Sequence, residues 1–152
     1  MAMEELIRRL KEVQPSSQMY VAEFEGLLQK VAELRDPASI CPLITLLEDN
    51  APYDEVMFSI IHVIETFDDV TFVEEILRSL PNFVSSSPRW AAIIHMRILN
   101  SPNTLEAYAR RLATSEADVK RAAKEVLTSV ARKRPEFQKR VTAILGRLGP
   151  GM

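Results

Sequence analysis

The stretch that most constrains this chain runs from Ala51 to Phe67, APYDEVMFSIIHVIETF. Pro52 suits the first turn of a helix, and Asp54 and Glu55 sit near the positive end of its dipole. Val56, Met57, Phe58, Ile60, Ile61, Val63 and Ile64 then follow. These apolar side chains go most of the way round a helix, so the segment is predicted to lie in the middle of a stack of helices. At about sixteen residues, interrupted by Ser59, His62 and Glu65, it makes a poor membrane span.

The remaining sequence supplies the neighbours such a helix needs. Met3 to Val13 places Leu6, Ile7, Leu10 and Val13 at helical spacing and is expected to stop at Gln14, Pro15 and the serines. Ser17 is expected to cap a helix to about Leu34, with Tyr20, Val21, Phe24, Leu27, Leu28, Val31 and Leu34 on one stripe. Gly26 within it implies close packing or nothing at all. Asp36 and Pro37 form a cap and first-turn pair, predicting a helix through Glu48 that Pro42 bends near its start. Asp68 or Asp69 should cap a helix from Val70 to Leu80 that Pro81 stops, leaving Asn82 to Ser87 as a loop or short turn.

Ser87 and Pro88 start a mostly apolar helix containing Trp90, and Asn100 ends it. Ser101 and Pro102 start the next, and Ser115 is predicted to cap a helix from Glu116 to about Lys133. Pro135 opens the last, burying Phe137, Val141, Ile144 and Leu145. The fold class is therefore all-α, with about eight or nine helices. At 152 residues the chain has the size of one domain, expected over residues 1–148 with a short flexible tail at 149–152.

The helices form pairs, and the pairs recur. Leu43 and Leu47 are followed 33 residues later by Ile76 and Leu80, and 32 further on by Tyr108 and Leu112. That is the period of a helical-hairpin solenoid. ICPLITLLED followed by EVMFSIIHVI, within Ile40 to Ile64, resembles the HEAT repeat, with its proline-bent first helix, aspartate in the turn and valine opening the second helix. ADVKRAAKEVL, from Ala117 to Leu127, resembles that second helix more closely still. The resemblance covers about half the chain and implies a right-handed HEAT-like solenoid, in copies shorter than the usual ~40–47 residues. The basic residue that usually follows the valine is Lys120 in the last copy but Met57 in the first, a departure from the family pattern for a ladder of charge pairs between repeats.

Charge is distributed unevenly behind a net −2. From Asp36 to Leu77 there are ten acids and no lysine or arginine. From Ala107 to Leu148 there are eleven bases, among them Arg110, Arg111, Lys120, Arg121 and Lys124, against Glu116, Asp118, Glu125 and Glu136. An asymmetry of this kind points to a charged partner. The candidate partner-binding residues are Glu48, Asp49, Asp54, Glu55, Asp68, Asp69, Glu74 and Glu75, set against the plain alternative of a solvated acidic face.

Catalytic and cofactor chemistry find no motif. His62 and His95 lie on different helices, and neither has a histidine or cysteine three or four residues away to build a metal site. Cys41, the single cysteine, excludes an intrachain disulfide and is expected to pack as a small hydrophobe. Four glycines leave little material for a phosphate loop, and Ser85, Ser86 and Ser87 lack the glycines of a nucleophile elbow. Asp54 and Glu55 are adjacent on a helix and diverge by about 100°, so they share no common target. No cofactor, metal or enzymatic activity is expected.

SPRWAAIIHMRILNS, from Ser87 to Ser101, together with the small helical length, is similar to the immunity proteins of bacterial polymorphic toxin systems, immunity protein family 30 in particular. The resemblance implies a cytoplasmic protein that neutralises one cognate toxin by binding it. The charged N-terminal stretch, unlike a signal peptide, and the lack of a long apolar segment agree with that location. A toxin acting on nucleic acid carries positive charge, so an acidic binder exploits the same surface. Two other functions fit the fold: a scaffold or adaptor, and a nucleic-acid-binding module or base-excision enzyme using the basic end and Trp90. Nucleic acid is the less favoured partner because Trp90 lies in an apolar run where core packing is expected.

Overall fold

The computed structural model describes residues 2–13 and 20–148. The expected stop at Pro15, the Ser17 cap and the tail at 149–152 lie outside the described residues. Among the described residues there are nine α-helices, two short 3-10 turns and no strand. They divide into two compact units, Met1–Asp68 and Asp69–Met152.

The first unit holds α1 (Met3–Glu12), α2 (Tyr20–Leu34), α3 (Ile40–Ile44) and α4 (Asp54–Ile64). α1 buries Leu6, Ile7 and Leu10 and packs on α2, and α2 and α3 both pack on α4. Leu34, expected on the buried stripe of α2, is the last residue of that helix and is exposed. Gly26 faces open space, so no close packing explains it.

Two boundaries differ from expectation. The helix predicted from Asp36 to Glu48 is a 3-10 turn at Pro37–Ser39 followed by α3, which ends at Ile44. Asp36 does cap it, its carboxylate accepting from the Ala38 N–H at 3.0 Å. Past Ile44 the backbone tightens into bonds between residues three apart, from Leu46 to Leu43 and from Leu47 to Ile44. This turn still carries Leu47 into the core. α4 starts at Asp54, two residues after Pro52, with Asp54 and Glu55 in its first turn.

Nor is α4 enclosed on all sides. Val56, Met57, Ile60, Ile61 and Ile64 are buried, Phe58 and Val63 are half-buried, and His62 is exposed. Spacings of one, three and four residues along the buried set define one broad face. The flanking Phe58 and Val63 made the sequence look apolar all round.

The second unit holds α5 (Asp69–Ser86), α6 (Pro88–Leu99), α7 (Pro102–Ala113), α8 (Ala117–Lys133) and α9 (Gln138–Gly146). α5 packs on α7 and on α8, and α6 on α7 and α8. Each of α5 and α6 thus rests on the helix two places further on, as stacked hairpins do. The recurring positions Leu43, Leu47, Ile76, Leu80, Tyr108 and Leu112 are all buried, so the period read from sequence marks core residues in both units.

α5 runs straight through Pro81, where a stop and then a loop were expected. Proline removes one backbone bond, but Phe83 and Val84 continue the buried face of Phe72, Val73, Ile76, Leu77 and Leu80. Tertiary burial outweighs the lost bond, as roughly 1.5–3 kcal/mol per large apolar side chain can against a proline cost of about 3. Ser115 does not cap α8: its hydroxyl donates to the Arg111 carbonyl and closes α7 instead.

Candidate partner-binding face

The eight candidate acids divide between the units. In the first, Glu48 and Asp49 lie in the connection after α3, Asp54 and Glu55 in the first turn of α4, and Asp68 after α4. Glu48, Asp54, Glu55 and Asp68 are exposed, and Asp49 is half-buried. The first turn of α4 favours carboxylates through the helix dipole while leaving Asp54 and Glu55 facing water.

In the second unit the acids have partners within the fold. Asp69 accepts a 2.6 Å hydrogen bond from the Thr104 hydroxyl, tying the start of α5 to the start of α7. Glu74 and Glu75 lie 3.7 and 3.4 Å from Arg78, and the Glu75 side chain is only 14 % exposed. Arg78 is the first base after the long acidic run, so the run stops one residue short of the arginine that answers its last two members.

Sequence reasoning passed over Tyr53. It lies between Pro52 and Asp54, is 40 % exposed, and its ring centroid is 5.6 Å from that of Tyr20. Burial and then the charge of Glu48 push the Tyr20 phenol above its usual pKa. A ring exposed to this degree adds apolar contact area at little entropic cost. Its signal was an aromatic residue inside a proline-acid turn.

Several cations of the basic end are used inside the second unit. Arg140 donates to the Leu99 carbonyl at 2.7 Å and to Asn100 at 3.2 Å, capping the end of α6, and its guanidinium lies 5.0 Å from the Phe137 ring centre. Arg147 takes both carboxylate oxygens of Glu106, at 3.2 and 3.3 Å, and Arg110 takes one at 2.8 Å. The Arg147 and Arg110 hydrogen bonds hold the Glu106 carboxyl below its usual range. Arg134 pairs with Glu136 at 3.0 Å.

The histidines part company. His62 faces solvent, whereas His95 is fully buried. His95 Nδ1 lies 2.7 Å from the Ala91 carbonyl and Nε2 2.8 Å from the Tyr108 hydroxyl. A carbonyl only accepts, so Nδ1 carries the proton and Nε2 accepts from Tyr108. Burial lowers His95 to about 4, opposed by the bond to Ala91, and pushes the Tyr108 phenol well above its usual pKa. Trp90, on the same helix as His95, is fully buried, which removes it as a base-stacking group. Cys41 is half-buried, less enclosed than a core hydrophobe, while Ile40 and Leu43 around it are sealed.

No group of three metal-ligating side chains comes together among the described residues, and no described helix is long and apolar enough to cross a membrane. What the described surface of the first unit offers is exposed carboxylates with a partly exposed aromatic ring next to Asp54 in the chain. A family model described as immunity protein 30 matches residues 9–108. The chain belongs to that family, and so stands among the immunity proteins of bacterial polymorphic toxin systems. The matched residues run from α1 into α7 and include every candidate acid, while α8 and α9 lie beyond them. No curated protein and no solved structure matches the chain.

Proposed function

We propose that this protein neutralises a cognate toxin in the bacterial cytoplasm by binding it directly, through an acidic face that covers a basic toxin surface. The face lies within the first unit, on the exposed carboxylates Glu48, Asp54 and Glu55, before and at the start of α4, and Asp68 after its end, with the half-buried Asp49 and with Tyr53 next to Asp54 in the chain. The observation that carries this reading is the exposure of those four carboxylates in a segment that holds ten acids and no lysine or arginine. A basic toxin surface is attracted over roughly a Debye length, about 8–10 Å at physiological salt. The packed helices α1 to α4 supply the support. Neutralisation is by occupancy, with no metal, nucleotide or turnover.

The test is co-purification of the tagged chain from its native host, with mass spectrometry of the complex. The expected result is one basic, toxin-bearing protein in near-equal amount, which regains its activity when released by denaturant and refolded. Recovery of no stoichiometric partner, of an acidic one, or of a toxin cleaved or covalently altered would contradict the proposal.

A further inference from the structure

The second unit carries a groove that the acidic face does not explain. It has a volume of 540 Å³ and lies between the first turns of α5, at Asp69, Val70 and Val73, and one side of α7, from Asn103 to Thr114. The α7 positions Asn103, Glu106, Ala107, Arg110, Arg111 and Thr114 follow helical spacing, so they form one continuous wall opposite the buried Tyr108, Ala109 and Leu112. Val73 is the sealed floor, whereas Val70 is 68 % exposed, the most exposed large apolar residue among those described. An apolar wall standing this far into solvent beside a concave surface is a feature of docking sites.

The charges in the groove decide what fits it. Asp69 is held by Thr104, and Glu106 by both Arg110 and Arg147. Arg111 is different. Its guanidinium donates to the Thr114 hydroxyl at 3.2 Å and makes no ion pair among the described residues, while remaining exposed. With Arg147 reaching Glu106 from outside the lining, two carboxylates face three guanidinium groups, and the surplus charge is positive. The start of α5 adds the positive end of its dipole at the same place.

We infer that this groove docks a partner-protein segment in which an apolar side chain sits next to a carboxylate: the apolar side chain packs on Val70, Val73 and Ala107, and the carboxylate pairs with Arg111. The geometry allows a bidentate guanidinium–carboxylate contact, which fixes the direction of the segment as well as its charge. This site is independent of the acidic face, whose partner surface has the opposite sign.

The experiment selects a displayed library of random twelve-residue peptides against the whole protein, then measures synthetic copies of the enriched sequences by fluorescence anisotropy. Enriched peptides should carry a leucine or aromatic residue within two positions of an aspartate or glutamate. Their binding should weaken about tenfold or more with Val70→Asp and about three- to tenfold with Arg111→Gln, hot-spot losses of ordinary size. It should be unchanged by Asp54→Lys with Glu55→Lys, which separates this site from the acidic face. Both groove positions are exposed, and unchanged thermal unfolding of the two variants is the accompanying control. Enrichment of lysine-rich peptides, absence of enrichment, or binding indifferent to both groove substitutions would overturn the inference.

Discussion

Arg140 and Glu55 sit at opposite ends of the charge gradient along this chain and are used in opposite ways. Arg140 is turned inward, closing α6 through the Leu99 carbonyl while covering Phe137. Glu55 stands exposed in the first turn of α4. Arg110, Arg134 and Arg147 likewise answer carboxylates of their own unit while staying exposed to solvent. Charge runs of opposite sign in a sequence thus need not be used alike: Arg140 braces the end of α6, while Glu55 faces water.

The largest expected effect tests the core beneath the basic region. Trp90→Ala should cost about 3–5 kcal/mol by denaturant unfolding, since the ring is fully enclosed in the unit that the arginines brace. A stable variant that has lost binding would return Trp90 to the surface and dissolve the contrast. Next in size is the buried polar pair. His95 stays neutral in the fold until about pH 4, while the unfolded chain takes up that proton near 6.5. Stability from this group should therefore be full above about pH 6.5, decline as pH falls, and level off below about 4, a loss on the order of 3 kcal/mol. Comparison with the His95→Leu, Tyr108→Phe double variant isolates it, because removing both partners leaves neither unsatisfied. Equal pH dependence in the two proteins would show that His95 contributes nothing.

Smaller effects sharpen the comparison directly. Arg140→Ala should lose about 1.5–3 kcal/mol, the range for hydrogen bonds to charged groups, whereas Lys139→Ala next to it should stay within about 0.5. Equal costs at the two positions would mean that the basic end is merely another solvated face. Smallest are two backbone corrections in the first unit, each stabilising by about 0.5–1 kcal/mol. Gly26→Ala puts a better helix former in open space within α2, and Arg35→Gly relieves a φ of 51° where that helix ends. Thermal shifts measure both.

Much of the fold was legible because it was written in short-range rules. Pro88, Pro102 and Pro135 open helical or 3-10 segments where expected, Asp36 caps its turn, and the recurring positions from Leu43 to Leu112 are all core. Pro81 was misread because local propensity predicts a stop, and only the distant packing of Phe83 and Val84 overrules it. The burial of α4 was overstated for the converse reason: half-buried Phe58 and Val63 look the same in sequence as sealed residues. At the candidate face, sequence could group acids but not see that Thr104 holds Asp69 or that Arg78 answers Glu74 and Glu75. Those partners are set by tertiary contact or by the helical turn just beyond the acidic run.

The central claim, that the acidic turns rather than the basic end hold the toxin, is tested most directly by the rate of association as ionic strength rises. Stopped-flow mixing with the co-purified toxin, from about 50 to 500 mM salt, should show association slowing steeply while dissociation changes little. In the Asp54→Lys, Glu55→Lys variant that slope should flatten and binding weaken by about 2–5 kcal/mol, with folding unchanged. The matched reversal of Lys120 and Arg121 should leave both slope and affinity as they are. The opposite pattern, indifference to the acidic pair and loss on reversing Lys120 and Arg121, would contradict the account and move the interface to the basic end.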